Sequence, residues 1–202
     1  MNATPLPFIF PYAVGFWLAY VWAFYLSEWS MIRASKTTAA PTGDVPQDSL
    51  RWLMSLALVA QLVAFAFAVA FWTPAQFPAG GIEPMFWLGI VLLIAGSLLR
   101  RHCFRMLGQS FTIDVRASAN QPVVERGAYA VVRHPGYTAG IVMLVALGLA
   151  LGSYFSLLIL TTTALFVYLR RIAFEERALE AVLGEKYRIY AAGRKRLIPY
   201  VY

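Results

Sequence analysis

Charge is scarce in this chain of 202 residues: Asp, Glu, Lys and Arg make up 13% of it, against 60% hydrophobic residues. Soluble domains hold roughly a quarter charged and half apolar residues, so this balance belongs to a protein immersed in lipid. Cysteine is nearly absent. The single Cys103 excludes an intramolecular disulfide and, with only His102 and His134 beside it, leaves too few thiolates and imidazoles for a metal centre. His102 and Cys103 are adjacent, so a helix points them in different directions, and both read as structural. No G-x-G-x-x-G follows a strand pattern, which removes a Rossmann-type nucleotide site. The charge that remains is basic, formally +7. Its residues cluster beside apolar spans instead of spreading along a polar face, which is the habit of membrane proteins and not of nucleic-acid binders.

A hydrocarbon core about 30 Å thick takes roughly 20 helical residues to cross. Five apolar runs approach that length, at about 8–31, 50–73, 85–106, 135–151 and from there to about 172. The first has neither a basic leader nor a small-residue cleavage site, so it reads as a retained helix. The expected fold is all-α: a polytopic membrane protein with about five transmembrane helices, a tight C-terminal helical hairpin and a cytoplasmic C-terminal helix over 170–193. Residues 1–84 hold two N-terminal spans and their loops, including a flexible connector at 34–48, and residues 85–202 form the core. Lys and Arg alternate between loops. Arg33, Lys36 and Arg51 lie between spans one and two, none lies in 74–84, Arg100 to Arg133 follow span three, none lies in 151–153, and Arg170 to Arg196 close the sequence. By the positive-inside rule the N-terminus is outside, and 107–134 and the tail are cytoplasmic.

Two polar segments remain, 107–140 and 170–202, both on that cytoplasmic side. In the second, Phe174, Ala178, Leu179, Val182 and Leu183 share one helical side, Glu175, Glu176, Arg177 and Glu180 lie on or beside the other, and Gly184 is the expected break. Taken singly, Arg133 reads as a snorkelling flank, Pro135 as a helix-opening proline, Glu175 and Glu176 as carboxylates past the bilayer, and Arg171 with Glu175 as an ordinary i,i+4 pair. Taken together they converge, because span four starts and span five ends on one side, making 134–137 and 171–176 neighbours across the hairpin.

The strings "GAYAVVRHPGYTAG" and "RRIAFEERALEAVLGEKYRIY" resemble the isoprenylcysteine carboxyl methyltransferases, integral membrane enzymes related to the phospholipid N-methyltransferases. The resemblance covers about 85–202 and rests on the set G-x-Y, R-H-P-x-Y-x-G, R-x-x-x-E-E and G-E-x-Y-x-x-Y. It implies S-adenosyl-L-methionine as cofactor, bound by Arg116, Gln121, Pro122, Val123, Val124, Tyr129, His134, Pro135, Gly136, Tyr137 and Glu175. It also implies a lipidic or amphipathic substrate met by Arg171; beside these, Arg133 and Arg196 are candidate substrate contacts, and Arg171 and Glu176 the candidate catalytic residues.

The residue types suit that chemistry. Tyr129 and Tyr137 offer aromatic faces to a sulfonium, and Glu175 accepts from ribose hydroxyls or an ammonium. A carboxylate acceptor is ionised at neutral pH and needs no base, only an orienting arginine such as Arg171. An amine or thiol acceptor would need deprotonation, with Glu176 or Tyr137 as candidates. Two other classes stand beside this one. A sterol-type membrane reductase would use Arg116 and Arg126 for the 2'-phosphate of NADPH, and a transporter or channel would show polar residues at mid-bilayer, where spans one to three carry only Gln61 and small hydroxyls.

Overall fold

The computed structural model describes residues 4–26, 29, 47–70, 75–108, 123–200 and 202, with the backbone alone at 47–51. After a 3-10 turn at Leu6–Phe8, α1 spans Tyr12–Val21 and widens into a π-helical turn at Trp22–Leu26. Helix α2 is Gln47–Ala70, α3 Ala79–Leu107, α4 the single turn Ala128–Val131, α5 Pro135–Ala150, α6 Tyr154–Leu183 and α7 Glu185–Ala192. Among the described residues no strand forms; the extended contacts are two isolated bridges, Gln76 with Ser153 and Val132 with Lys195. Three helical stretches, Trp52–Ala70, Ala79–Leu107 and Tyr154–Leu183, are long and apolar enough to cross a membrane, while Tyr12–Leu26 and Pro135–Ala150 are shorter apolar helices.

Packing is by small residues, as suits helices that gain nothing by hiding oil from oil. Helix α3 lies mainly on α5, α5 on α6, and α6 on α2. At Gly89 of α3 a Cβ would sit 2.6 Å from the Ala146 carbonyl oxygen and 2.7 Å from the Ala150 nitrogen, so the two backbones meet where a side chain would part them. Phe16, Phe86, Leu93, Met143, Leu147 and Leu160 fill the space between helices, whereas Leu18, Leu62, Val91 and Leu158 face outward. Gln61 is satisfied locally, accepting from the Tyr20 hydroxyl at 3.1 Å and donating to the Ala57 carbonyl at 3.3 Å.

One boundary differs from the sequence expectation. Helix α3 begins at Ala79 instead of 85, with Pro84 tolerated in its second turn for the loss of one hydrogen bond. The segment 170–193 breaks at Gly184 as expected: α6 continues unbroken from the membrane stretch to Leu183, then Gly184 at φ +52° ends it and α7 follows over Glu185–Ala192. The turn between α5 and α6 is three residues long, capped by Ser153, whose Oγ accepts from the Ser156 amide at 3.4 Å. The first turn of α5 and the charged end of α6 are thereby set side by side.

Candidate functional site

Pro135 sits at the first position of α5, where its missing N–H costs nothing, and His134 precedes it as the non-helical cap. Residues 132–134 are held extended by the tail. The amides of Arg133 and His134 donate to the carbonyls of Lys195 and Arg196 at 2.8 and 2.9 Å, and Thr138 Oγ1 donates to the Leu197 carbonyl at 2.9 Å. So pinned, three side chains close on Glu176 of α6: Arg133 Nη1 lies 2.8 Å from Oε1, Arg196 Nη2 2.8 Å and Nε 2.9 Å from Oε2, and His134 Nε2 3.2 Å from Oε1. A carboxylate only accepts, so His134 carries a proton on Nε2.

One turn away lies a second chain of bonds. Arg171 Nε donates to the Tyr137 hydroxyl at 2.8 Å, and that hydroxyl donates in a short bond to Glu175 Oε2. The Tyr137 ring stacks on His134 at 5.5 Å between centroids and leans on Tyr168 at 5.4 Å. Gly140 makes room for Tyr168, whose hydroxyl would be 2.0 Å from any Cβ there. Arg100 of α3 donates to the Gly136 carbonyl at 3.0 Å, fixing the α5 entrance from a third helix. Arg171 is 8% exposed, His134 6% and Tyr129 8%.

Behind this, α7 braces α4. The Tyr190 hydroxyl donates to the Tyr129 carbonyl at 3.0 Å, and Arg194 donates to the Ala130 and Tyr190 carbonyls, pairs with Glu125 at 3.1 Å and lies 4.4 Å over the Tyr190 ring.

Electrostatics separates the two carboxylates by role. Glu176 lies beyond the apolar stretch of α6, which gives way after Ile172 to Glu175, Glu176 and Arg177. Burial would raise its pKa, but the hydrogen bonds with His134 and Arg196 and the charge of Arg133 outweigh that and hold it at about 2. It is an anion at any physiological pH. Burial raises the Tyr129, Tyr187 and Tyr190 hydroxyls, so all three stay protonated there.

Of the residues singled out in the sequence, His134, Pro135, Gly136, Tyr137, Arg171, Glu175, Glu176, Arg133 and Arg196 meet at this corner, and the guanidinium groups of Arg133 and Arg196 are engaged by Glu176. Tyr129 is buried beside Gly136, its hydroxyl 3.9 Å from where a Cβ would stand. Val123 and Val124 are half-buried, while Arg116, Gln121 and Pro122 lie outside the described residues. Arg126, considered for a 2'-phosphate, is exposed. Sequence reasoning missed Tyr168, Arg100 and Arg194. Tyr168 sits among apolar neighbours in α6, Arg100 lies in a basic cluster that reads only as a membrane flank, and Arg194 lies in a basic tail. Among the described residues no three His, Cys, Asp or Glu side chains are grouped to hold a metal.

Comparison with known proteins bears on the same region. Protein-S-isoprenylcysteine O-methyltransferase B of Arabidopsis thaliana is 27% identical over 126 residues, covering 60% of this chain and 64% of that protein. Protein-S-isoprenylcysteine O-methyltransferase of Schizosaccharomyces pombe is 31% identical over 100 residues, covering 48% and 42%. The chain thus spans less than two thirds of the length of the curated relatives it matches. A solved structure of the eukaryotic intramembrane Ras methyltransferase, an isoprenylcysteine carboxyl methyltransferase, superposes with TM-score 0.63 at 21% identity, over 94% of this chain and 65% of that one, so the integral membrane fold is shared. Residues 87–181, which hold α5, the Arg171–Tyr137–Glu175 chain and Glu176, match the model of the isoprenylcysteine carboxyl methyltransferase (ICMT) family.

Proposed function

We propose that the protein is an integral membrane methyltransferase that uses S-adenosyl-L-methionine to methylate the carboxylate of a lipidic or amphipathic acceptor of the isoprenylcysteine type. The observation that carries this reading is the chain of Arg171 Nε, Tyr137 hydroxyl and Glu175 carboxylate, which ties the first turn of α5 to the far end of α6. Its donor set suits the cofactor. Glu175, which accepts from Tyr137 through Oε2, is a carboxylate suited to ribose hydroxyls or an ammonium, and Tyr137 beside it, with Tyr168 against that ring, offers electron-rich aromatic surface. When bound, S-adenosyl-L-methionine supplies a methyl carbon activated by a sulfonium.

The remaining work falls to the chain's own side chains. Arg171 has a planar, two-pronged cation that orients an acceptor carboxylate, and its bond to Tyr137 sets its angle. That acceptor is already ionised at neutral pH, so no base is needed, and alignment in a dry site is the main contribution. Glu176, engaged on both oxygens, holds His134 and Arg133 before it in place instead of moving a proton. Five crossings are proposed, α1 and α5 being thin at about 24 Å or less. The basic loops set the N-terminus outside and the site on the cytoplasmic face, with 85–202 as the catalytic core.

Purified protein in detergent tests this directly. S-adenosylhomocysteine, and not NADPH, is expected to raise its thermal stability, since a ligand of the folded state stabilises it. Radiolabelled methyl is expected on a prenylated cysteine as a base-labile ester. Stabilisation by NADPH alone, or methyl found only on a phospholipid amine or a thiol, would overturn the reading.

A further inference from the structure

Two polar atoms beside the Glu176 clamp are sealed from solvent and have no hydrogen-bond partner among the described residues: Arg133 Nε and the Tyr187 hydroxyl. Native proteins leave few such groups. Neither side chain is loosely placed. Arg133 is anchored through Nη1 on Glu176, and Tyr187 is 5% exposed, its ring 6.1 Å from that of Tyr190. Burial raises the Tyr187 hydroxyl above its ordinary range, Glu176 adds to the rise and Arg133 opposes it, so this hydroxyl lies in the field of the same ion cluster. Within that cluster one carboxylate faces two guanidinium groups, leaving a positive balance. Arg133 Nε can only donate, and a tyrosine hydroxyl can donate alongside it; the partner that satisfies both and cancels the surplus charge is a carboxylate.

We propose that Arg133 Nε and the Tyr187 hydroxyl form a carboxylate-binding subsite beside Glu176. This rests on the methyltransferase reading, in which two carboxylates reach the site: the one on the amino-acid end of S-adenosyl-L-methionine and the one on the acceptor. Both share the chemistry, and substitution of the hydroxyl separates them.

The test compares the full chain with Tyr187→Phe, which deletes the orphaned hydroxyl alone. Binding of S-adenosylhomocysteine and of 5'-methylthioadenosine, which lacks the amino-acid end, is measured by calorimetry in detergent, together with KM for an N-acetyl-S-prenylcysteine. If the subsite takes the cofactor's carboxylate, S-adenosylhomocysteine binds roughly tenfold to a hundredfold more weakly to the variant while methylthioadenosine is unaffected. If it takes the acceptor's, both nucleosides bind as before and KM rises by a similar factor. In either case the ligand-free variant melts no lower than the parent, because an unsatisfied buried group has been removed. Unchanged affinities with unchanged KM, equal weakening of both nucleosides, or a lower melting temperature without ligand would overturn the subsite. A parent protein that binds neither nucleoside sinks the methyltransferase reading itself, which is a different result.

Discussion

Replacing Glu176 with Gln isolates the clamp at the mouth of the α5–α6 pair. The side chain is 11% exposed and receives two arginines and a histidine, so the substitution strands buried cations, a loss of about 3–5 kcal/mol for a fully buried pair. Arg196 is 39% exposed, and water screens its share toward the ~0–1 kcal/mol of a surface pair. Gln also keeps one accepting oxygen. The expected loss is therefore about 2–4 kcal/mol, or roughly 4–16 °C in melting temperature for a chain of this size. Glu180→Gln is the control: its partner Arg188 and Glu180 itself are 61% and 53% exposed, and the change is worth under about 0.5 kcal/mol. The pH dependence follows with a definite sign. Glu176 titrates at about 2 in the fold against an ordinary 4.5, so its contribution is whole above about pH 4.5 and fades as pH falls through about 2. Thermal unfolding in detergent, followed by far-UV circular dichroism from pH 8 down to pH 3, reads both effects. The reasoning is refuted if Glu176→Gln costs no more than Glu180→Gln, or if the gap between parent and variant narrows between pH 8 and 6.

Two further outcomes follow from the geometry. Arg171→Ala is expected to reduce turnover at least a hundredfold while S-adenosylhomocysteine affinity changes less than about threefold, with Arg171→Lys recovering little because an ammonium lacks the two-pronged edge; radiolabel transfer and calorimetry give the two numbers. Gly89→Ala drives a methyl group into the Ala146 and Ala150 backbone and is expected to cost about 1–3 kcal/mol, whereas Gly15→Ala, with nothing within 4 Å of the new Cβ, is expected to be neutral or to stabilise by up to about 1 kcal/mol. Melting curves of the two variants side by side check the pair.

The helices were legible because lipid leaves so few options: five apolar runs fall on α1, α2, α3, α5 and α6, and Pro135 and Gly184 punctuate them as their backbone chemistry requires. The meeting of 134–137 with 171–176 follows from the short turn at 151–153, so Tyr137 and Glu175 could be paired from spacing alone. The run of α6 past Ile172 was legible too, because Phe174, Ala178, Leu179, Val182 and Leu183 keep helical spacing up to Gly184. Other features were not. The pairing of 132–134 with 195–196 is invisible in the sequence, since a two-residue extended contact carries no periodicity and its partners are far apart. The sequence likewise could not show that the Arg196 guanidinium is shared between Glu176 and the Tyr202 hydroxyl.

That distant pairing also makes the site's geometry depend on a long-range closure. The carbonyls of Lys195, Arg196 and Leu197, the last 59 residues beyond Thr138, lie past both helices in the chain, so residues 133, 134 and 138 gain these partners only when the tail folds back. The backbone that carries the imidazole of His134 is thus held by a closure between residues distant in the chain, not by the helix pair alone.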